Sequence, residues 1–159
     1  MSYVRIWVHL IWSTKNRRPI LSNELRDKIT THIEMNAKAK NIFLDCIGGH
    51  LEHIHALLSL RSDLSIATIA QMIKGESSHW VNALKLVPFK FEWQTEYYAL
   101  SVSESAIDII RRYIKDQEEH HRRKTFAEEF EEIIDEYTAR YGGLKPKSSS
   151  STPSTAFRQ

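Results

Sequence analysis

Two histidines, His53 and His55, stand two residues apart in an apolar run that extends from the Gly48-Gly49 pair to Leu60. The run predicts a buried strand, on which positions i and i+2 point to the same face. Both imidazoles would then project from one sheet surface and could supply two ligands to a divalent metal. Because a two-residue pattern has low specificity, a pair of surface or hydrogen-bonded core histidines is the alternative. This stretch alone leaves both interpretations open.

A second pair of polar side chains, Tyr113 and Gln117, stands four residues apart in a segment with helical periodicity. Residues i and i+4 share one face of a helix, so these two side chains could approach one site together. The alternative is a core tyrosine beside a solvent-facing glutamine. Lys74, with the hydroxyls of Ser77 and Ser78 after it, either contacts phosphate or belongs to a solvated helix face.

The length and composition limit the classes of protein to which the chain can belong. The chain has 159 residues, which fits one domain with a sizeable core, and its formal net charge of +2 is too small to indicate nucleic-acid binding by itself. The single cysteine, Cys46, excludes an internal disulfide and fits a reducing compartment. The N-terminus lacks signal-peptide features, and no apolar run approaches the roughly 20 residues that span a bilayer. We therefore expect a soluble cytoplasmic protein.

The first predicted element is a strand over residues 3–13. Neither of its faces is plainly polar, which is typical of a central strand covered on both sides. His9 lies on one of these faces, where a sheet could bring it near the histidine pair. The simpler interpretation of His9 is a core or rim histidine. After this strand a basic turn follows, and Pro19 excludes a helix there.

The later segments alternate between helical and strand periodicity. In chain order they are a helix capped by Ser22 that runs to about Lys40, a strand over residues 41–47, a tight turn at Gly48-Gly49, the histidine strand over residues 51–60, a helix capped by Ser65, short strands over residues 91–93 and 97–102, and a helix that begins at Ser103. The glycine pair between two apolar runs is the hairpin signal.

The order strand, helix, strand, strand, helix, strand predicts an α+β fold. It matches the ferredoxin-like (RRM-like) arrangement, an antiparallel sheet with helices packed on one face, followed here by the tyrosine-bearing helix. Thr125 begins an additional helix with an acidic face. Residues 1–141 are thus predicted to form one domain. The serine-rich segment 142–159 is predicted to be a disordered, low-complexity tail.

Together these motifs resemble a known family over residues 3–130. The glycine pair leading into His53-Ile54-His55, and the later Tyr113-Ile114-Lys115-Asp116-Gln117, resemble the single-tyrosine HUH transposases of the insertion-sequence-two-hundred-like family, including REP-associated tyrosine transposases. Other segments that carry the likeness are residues 12–19, 74–78, 91–94 and 101–103. The chain departs from the family pattern at Glu52, where many relatives have aspartate, and at Glu96 and Tyr98, where relatives usually have glycine.

The resemblance implies that residues 1–141 are a transposase domain that cleaves and rejoins single-stranded DNA at hairpin-containing element ends. It implies Tyr113 as the nucleophile that forms a 5′-phosphotyrosine intermediate. His53, His55 and Gln117 would be the ligands of Mg²⁺ or Mn²⁺. A homodimer is the implied assembly, and neither a membrane partner nor a small-molecule cofactor is expected.

Basic side chains are the candidate contacts to the DNA backbone, and they are Lys15, Arg17, Arg18, Lys74, Arg122 and Arg123. Two other functions stay open. One is a non-mobilising module of the same fold that binds a DNA hairpin, and the other is a metal-dependent hydrolase of a small phosphoester. The presence of all four of His53, His55, Tyr113 and Gln117 favours the transposase, since a pure binder has no need of every one.

Overall fold

The computed structural model describes residues 2–117 and 125–141. The chain divides into two compact units, residues 1–122 and 123–159, and the first unit contains the sheet. The predicted tail at 142–159 lies outside the described residues, as do Arg122 and Arg123. Within the described ranges, no helix is both long enough and apolar enough to cross a membrane.

The described part of the first unit contains four strands and three α-helices in the predicted order. They are β1 (Trp7–Ser13), α1 (Asn23–Ala39), β2 (Phe43–Gly49), β3 (His53–Ser59), α2 (Ile66–Ala83), β4 (Tyr98–Val102) and α3 (Ile107–Lys115). The strands form one sheet in the order β2-β3-β1-β4, and every neighbouring pair is antiparallel. This order confirms the predicted α+β, ferredoxin-like fold.

Side-chain caps begin two helices where the sequence predicts them, but Ser103 makes no capping bond, and α3 begins at Ile107 after a 3-10 turn over Glu104–Ala106. The Ser22 hydroxyl accepts a hydrogen bond from the Leu25 amide at 3.2 Å, and the Ser65 hydroxyl accepts one from the Thr68 amide at 3.1 Å. In the second unit, α4 (Phe126–Tyr141) follows Thr125. Thr125 and Glu128 exchange side-chain-to-amide bonds of 3.1 and 3.3 Å, which is a capping box.

The predicted turn at Gly48-Gly49 is wrong, because both glycines belong to β2. Gly48 pairs with His55 and Gly49 with Ile54, so that the connection to β3 lies at residues 50–52. The glycines serve close packing instead. A Cβ on Gly48 would lie 2.5 Å from the carbonyl oxygen of Ile114 on α3. The hairpin predicted from the sequence is therefore confirmed, but its turn begins two residues later than predicted.

Two other predicted strands differ from the structure by more than two residues at an end or are absent as strands. β1 begins at Trp7 and not at residue 3, and Val4 and Ile6 are exposed. Residues 91–93 form no strand but a single bridge between Trp93 and Thr14. The Asn82 side chain donates to the carbonyl oxygen of Phe91 at 2.9 Å and accepts from its amide at 2.8 Å. Both backbone polar groups of Phe91 are therefore hydrogen-bonded to this side chain and not to a neighbouring strand.

The sheet is covered on both faces, as predicted for β1. One face packs against α1 and α2 and contributes these buried residues of β1 and β3 to the main core: Val8, Leu10, Trp12, Ile54, Ala56 and Leu58. The opposite face contributes Trp7 and Leu57 to a smaller apolar cluster that includes Ile107 and Ile114 of α3. Because successive strand residues alternate between faces, the histidines of β3 lie on the α3 side.

Candidate active site

Strand register brings three histidines onto the face of the sheet that α3 covers. On β1, Ser13 is opposite His53 and Ile11 is opposite His55. His9 lies two residues before Ile11 on the same face, so it is the diagonal neighbour of His55 across the strand pair. All three imidazoles are buried, with His53 and His55 fully inaccessible.

His53 is held by a partner at each ring nitrogen. Its Nδ1 lies 2.8 Å from Oε1 of Glu52, and its Nε2 lies 3.1 Å from Oε1 of Gln117. A carboxylate only accepts hydrogen bonds, so the Nδ1 of His53 carries a proton and donates it to Glu52. The glutamate at position 52, where the family pattern has aspartate, therefore reaches the ring of His53 and orients it.

His55 is held by His9. The Nδ1 of His55 lies 2.8 Å from the Nε2 of His9, and the ring centroids are 5.0 Å apart. Burial lowers the pKa of His9 to about 4, which makes it a neutral imidazole at physiological pH. His9 is thus a core histidine, as in the simpler interpretation, and the sheet also brings it into contact with the histidine pair, as its place on β1 suggested.

Helix α3 and the residues directly after it place Tyr113 and Gln117 over these histidines. The ring centroid of Tyr113 lies 5.4 Å from that of His55, and the two rings meet edge to face at 85°. The Gln117 amide group donates to the carbonyl oxygen of Tyr113 at 3.0 Å, which turns its own oxygen toward His53. Gln117 is only 2% exposed, so the alternative of a solvent-facing glutamine is wrong.

A bulge in β2 secures α3 against the sheet. The β2–β3 register shifts between Leu44 and Cys46, which leaves Asp45 at the irregularity. Its carboxylate accepts two hydrogen bonds from the guanidinium of Arg111 on α3, both of 2.7 Å. These bonds lower the pKa of the Asp45 carboxyl. The same helix approaches Gly48 so closely that no larger residue fits there without a shift.

The donor chemistry of the site fits a divalent metal with open positions. Within the described ranges no three histidine, cysteine, aspartate or glutamate side chains converge as a metal cluster. The candidate donors are two imidazoles and the amide oxygen of Gln117. The Nδ1 atoms of His53 and His55 face Glu52 and His9, which are not among the candidate donors, so the Nε2 atoms are the ones suited to metal binding. Such outer partners are the usual support of histidine ligands.

The basic candidates for DNA contact lie in different surroundings. Lys15 and Arg18 line a surface cavity of about 230 Å³ together with Lys90 and Glu92. Lys15 pairs with Glu92 at 3.2 Å, and the guanidinium of Arg18 lies 4.8 Å from the ring centroid of Phe89. Arg17 is exposed next to them, with a positive φ of 52°.

Lys74 lies in a second groove, which shares Lys90 and Glu92 with this cavity. Its ammonium group donates to the carbonyl oxygens of Thr95 and Glu96 at 2.9 and 3.2 Å, and burial lowers its pKa. Lys74 therefore ties α2 to the segment before β4. In that segment neither Glu96 nor Tyr98 adopts a positive φ, so their backbone conformations do not require the glycines of the family pattern.

Comparisons with known proteins place the chain in one family. The family model described as "Transposase IS200 like" matches residues 2–117. A solved structure of a candidate transposase from Deinococcus radiodurans is 26% identical and covers 74% of this chain and 95% of its own, with a TM-score of 0.60. A REP-associated tyrosine transposase bound to a REP hairpin has the same fold at 14% identity, a TM-score of 0.51, and coverage of 74% of this chain and 67% of its own. No curated protein matched the sequence. Because the family model spans well over half of its 159 residues, this chain belongs to the IS200-like transposases.

Proposed function

We propose that this transposase cleaves and rejoins single-stranded DNA at hairpin-containing ends through a covalent bond to Tyr113. The observation that carries the proposal is the convergence of Tyr113 and Gln117 on the histidine pair, with the tyrosine ring 5.4 Å from His55 and the amide oxygen 3.1 Å from His53. The hairpin bound to the similar REP-associated transposase supports a hairpin as the substrate of this chain.

In the proposed reaction the phenolic oxygen of Tyr113 attacks a phosphodiester of the DNA. A bond forms between that oxygen and phosphorus, while the bond to the 3′ oxygen breaks. The phenolic proton is lost, and the leaving 3′ oxygen gains a proton to become a free hydroxyl. The 5′-phosphotyrosine retains the energy of the broken ester, so a later 3′-hydroxyl can displace the tyrosine and rejoin the strand.

His53, His55 and Gln117 would hold Mg²⁺ or Mn²⁺ beside Tyr113. The bound cation would neutralise and orient the phosphate oxygens, which otherwise repel an approaching nucleophile. The protein fixes the donors in advance, since Glu52 orients His53 and the backbone of Tyr113 orients the amide of Gln117. The amide oxygen of Gln117, together with phosphate and water oxygens at the open positions, suits these cations.

The DNA backbone is proposed to follow the basic surface around Lys15, Arg17 and Arg18. This surface lies after Ser13, the last residue of β1, and Ser13 pairs with His53 at the site. Lys74, which also holds the segment before β4, is proposed as a further contact to the DNA backbone. Arg122 and Arg123 remain predictions outside the described residues. We also propose that the active assembly is a homodimer.

The test is a covalent-trapping assay on a pool of hairpin oligonucleotides with randomised single-stranded flanks. Each oligonucleotide carries different fluorophores at its two ends and is incubated with Mg²⁺ or Mn²⁺ before denaturing electrophoresis. We expect the 3′-end label to migrate with the protein and the 5′-end label to appear in a shorter oligonucleotide. This asymmetry follows from attachment of the tyrosine to the 5′ phosphate.

Three variants give this assay its controls. Tyr113→Phe and His55→Ala should both lose the adduct, whereas Tyr97→Phe, which alters a tyrosine packed against the main core, should keep it. Cleavage without an adduct in the wild-type protein would indicate a hydrolase instead. Binding without any cleavage, with either metal, would indicate a hairpin-binding module.

A further inference from the structure

His9 is a buried polar residue that the proposed chemistry leaves without a role. It is 1% exposed, and its Nε2 lies 2.8 Å from the Nδ1 of His55. We propose that His9 is a positioning residue which keeps the proton of His55 on Nδ1 and thereby reserves the Nε2 lone pair of His55 for the metal. This inference rests on the proposed metal site and adds a residue that decides which ring nitrogen of His55 carries the proton.

The argument follows from counting protons in the contact between the two rings. Two neutral imidazoles that face each other through one nitrogen each share a single hydrogen bond, so only one of these nitrogens carries the proton. If Nδ1 of His55 donates to His9, then Nε2 of His55 has a lone pair. If His9 donates instead, the proton of neutral His55 moves to Nε2, and that nitrogen no longer binds a metal.

His53 provides an internal precedent for the first arrangement. Its Nδ1 faces the carboxylate of Glu52 at 2.8 Å, and because a carboxylate only accepts, the Nδ1 of His53 must be the donor. His9 occupies the equivalent place for His55. Both ligands would then donate from Nδ1 to a protein partner, and each Nε2 would present a lone pair once metal is bound. In the metal-free protein the Nε2 of His53 instead contacts the amide oxygen of Gln117 at 3.1 Å.

The strand register explains why His9 suits this role. His9 is diagonal to His55 on one face of the β1–β3 pair, and both backbones are fixed by the antiparallel ladder. Neighbouring side chains restrict the ring further, since the ring of Tyr113 lies edge-on to His9 with centroids 6.1 Å apart. A histidine held this way acts on the metal only through His55.

The direct test is the tautomer of His55 in metal-free protein labelled with ¹⁵N-histidine. Long-range ¹H–¹⁵N correlation spectra at neutral pH distinguish a protonated ring nitrogen from one with a lone pair. The His55→Gln spectrum assigns the signals. We expect the wild-type protein to show the proton of His55 on Nδ1, and a proton on Nε2 would overturn the inference even if the protein binds metal well.

Variants at His9 extend the test to Mn²⁺ affinity, measured from the signal of free Mn²⁺ in electron paramagnetic resonance titrations. His9→Leu removes the acceptor, so Nε2-protonated His55 should appear and affinity should fall about 10- to 100-fold, as for other outer-shell partners. His9→Gln retains an acceptor oxygen and should recover most of the affinity.

The matched control is His32→Leu, which removes a histidine that pairs with Glu76 between α1 and α2. It should leave both His55 and Mn²⁺ affinity unchanged. Unchanged affinity and tautomer in His9→Leu would overturn the inference. If no variant or wild-type protein binds Mn²⁺, the metal site of the proposed function fails, while the wild-type tautomer still decides whether His9 positions the His55 proton.

Discussion

The two faces of the sheet are made from the same strands but are held by different means. The α1 and α2 face of β1 and β3 is wholly apolar and belongs to a large core cluster. The α3 face carries His9, His53 and His55 beside a cluster of few apolar residues. Strand alternation thus separates the residues that stabilise the fold from the residues proposed to do chemistry.

The α3 face is held together by a few individual contacts, whereas the α1 and α2 face is held together by its large buried apolar area. Helix α3 spans only nine residues, and it is fixed by the Asp45–Arg111 pair and by a close approach to Gly48. Tyr113 depends on those contacts, because its distance from His55 follows from where α3 lies. A change to one contact should therefore affect the proposed site more than the stability of the whole unit.

Truncation of two adjacent leucines, one on each face of the sheet, should give the largest difference in the free energy of unfolding. Leu57 and Leu58 are both fully buried, but Leu58 belongs to the main core and Leu57 to the α3 cluster. We expect Leu58→Ala to lower the free energy of unfolding by about 4 kcal/mol and Leu57→Ala by about 2 kcal/mol, since the smaller cluster relaxes more easily. Urea unfolding at constant m-value measures both.

The same leucines should differ in the opposite sense in Mn²⁺ affinity. Under conditions where both variants are folded, Leu57→Ala should weaken Mn²⁺ binding, while Leu58→Ala should not. Equal losses of stability and equal Mn²⁺ affinity in the two variants would contradict the division of the sheet into a stabilising face and a face that holds the proposed site.

A methyl group at Gly48 should disturb the α3 face without touching the main core. The added Cβ would lie 2.5 Å from the backbone oxygen of Ile114, so α3 has to move. We expect Gly48→Ala to cost about 2 kcal/mol and to slow adduct formation about 100-fold, which is typical of a displaced reacting group. Trapping rates with the hairpin pool measure the second effect.

Gly75→Ala is the matched control, because a Cβ at this position in α2 meets no atom within 4 Å. Alanine is the better helix former by about 1 kcal/mol, so this variant should gain stability and keep the wild-type trapping rate. A slower rate in Gly75→Ala, or a normal rate in Gly48→Ala, would contradict the assignment of α3 as the element that positions Tyr113.

A smaller effect is expected from Asp45→Asn, which removes the charge that Arg111 faces across the bulge. The guanidinium of Arg111 is 39% exposed, so solvent screens the pair and the loss should be about 1 kcal/mol at neutral pH. Arg111 holds the pKa of Asp45 below its usual value, so this stabilisation is present above pH of about 4 and disappears as pH falls through the lowered pKa.

Urea unfolding of the wild-type protein and Asp45→Asn across this pH range checks the prediction. The exposed pair of Asp63 and Arg61 provides the control, and Asp63→Asn should leave the free energy of unfolding unchanged within the error of the measurement. A stability difference for Asp45→Asn that grows as the solution becomes more acidic would contradict the role given to Arg111.

Much of the fold could be predicted because local signals and tertiary structure agree. Ser22 and Ser65 cap the helices that they were expected to begin, and the alternation of residues 7–13 and 53–59 specifies two buried strands. The glycine pair at 48–49 misled because glycine permits both a turn and close packing, and only the position of α3 decides between them.

The site was predictable only in part, for a related reason. The spacing of His53 and His55 and that of Tyr113 and Gln117 place each pair on one face of its own element, and the family resemblance suggested that the pairs meet. The contacts of His9 and Asp45 depend on the β1–β3 register and on a bulge in β2. Neither feature has a signature in the local sequence. A sheet could be expected to bring His9 near the histidine pair, but its hydrogen bond to His55 and the role of Asp45 are visible only in the folded structure.

The most direct test of the central claim is to locate the DNA on the protein by mass spectrometry. The trapped adduct would be treated with nuclease, digested with trypsin and searched for a nucleotide-bearing peptide. Cleavage after Arg112 and Lys115 isolates Tyr113 in the short peptide Tyr113-Ile114-Lys115. We predict that the nucleotide mass is found on Tyr113 of this peptide. An adduct on any other residue, such as Tyr97 or Tyr98, would contradict the proposal that α3 presents the nucleophile to the histidine pair.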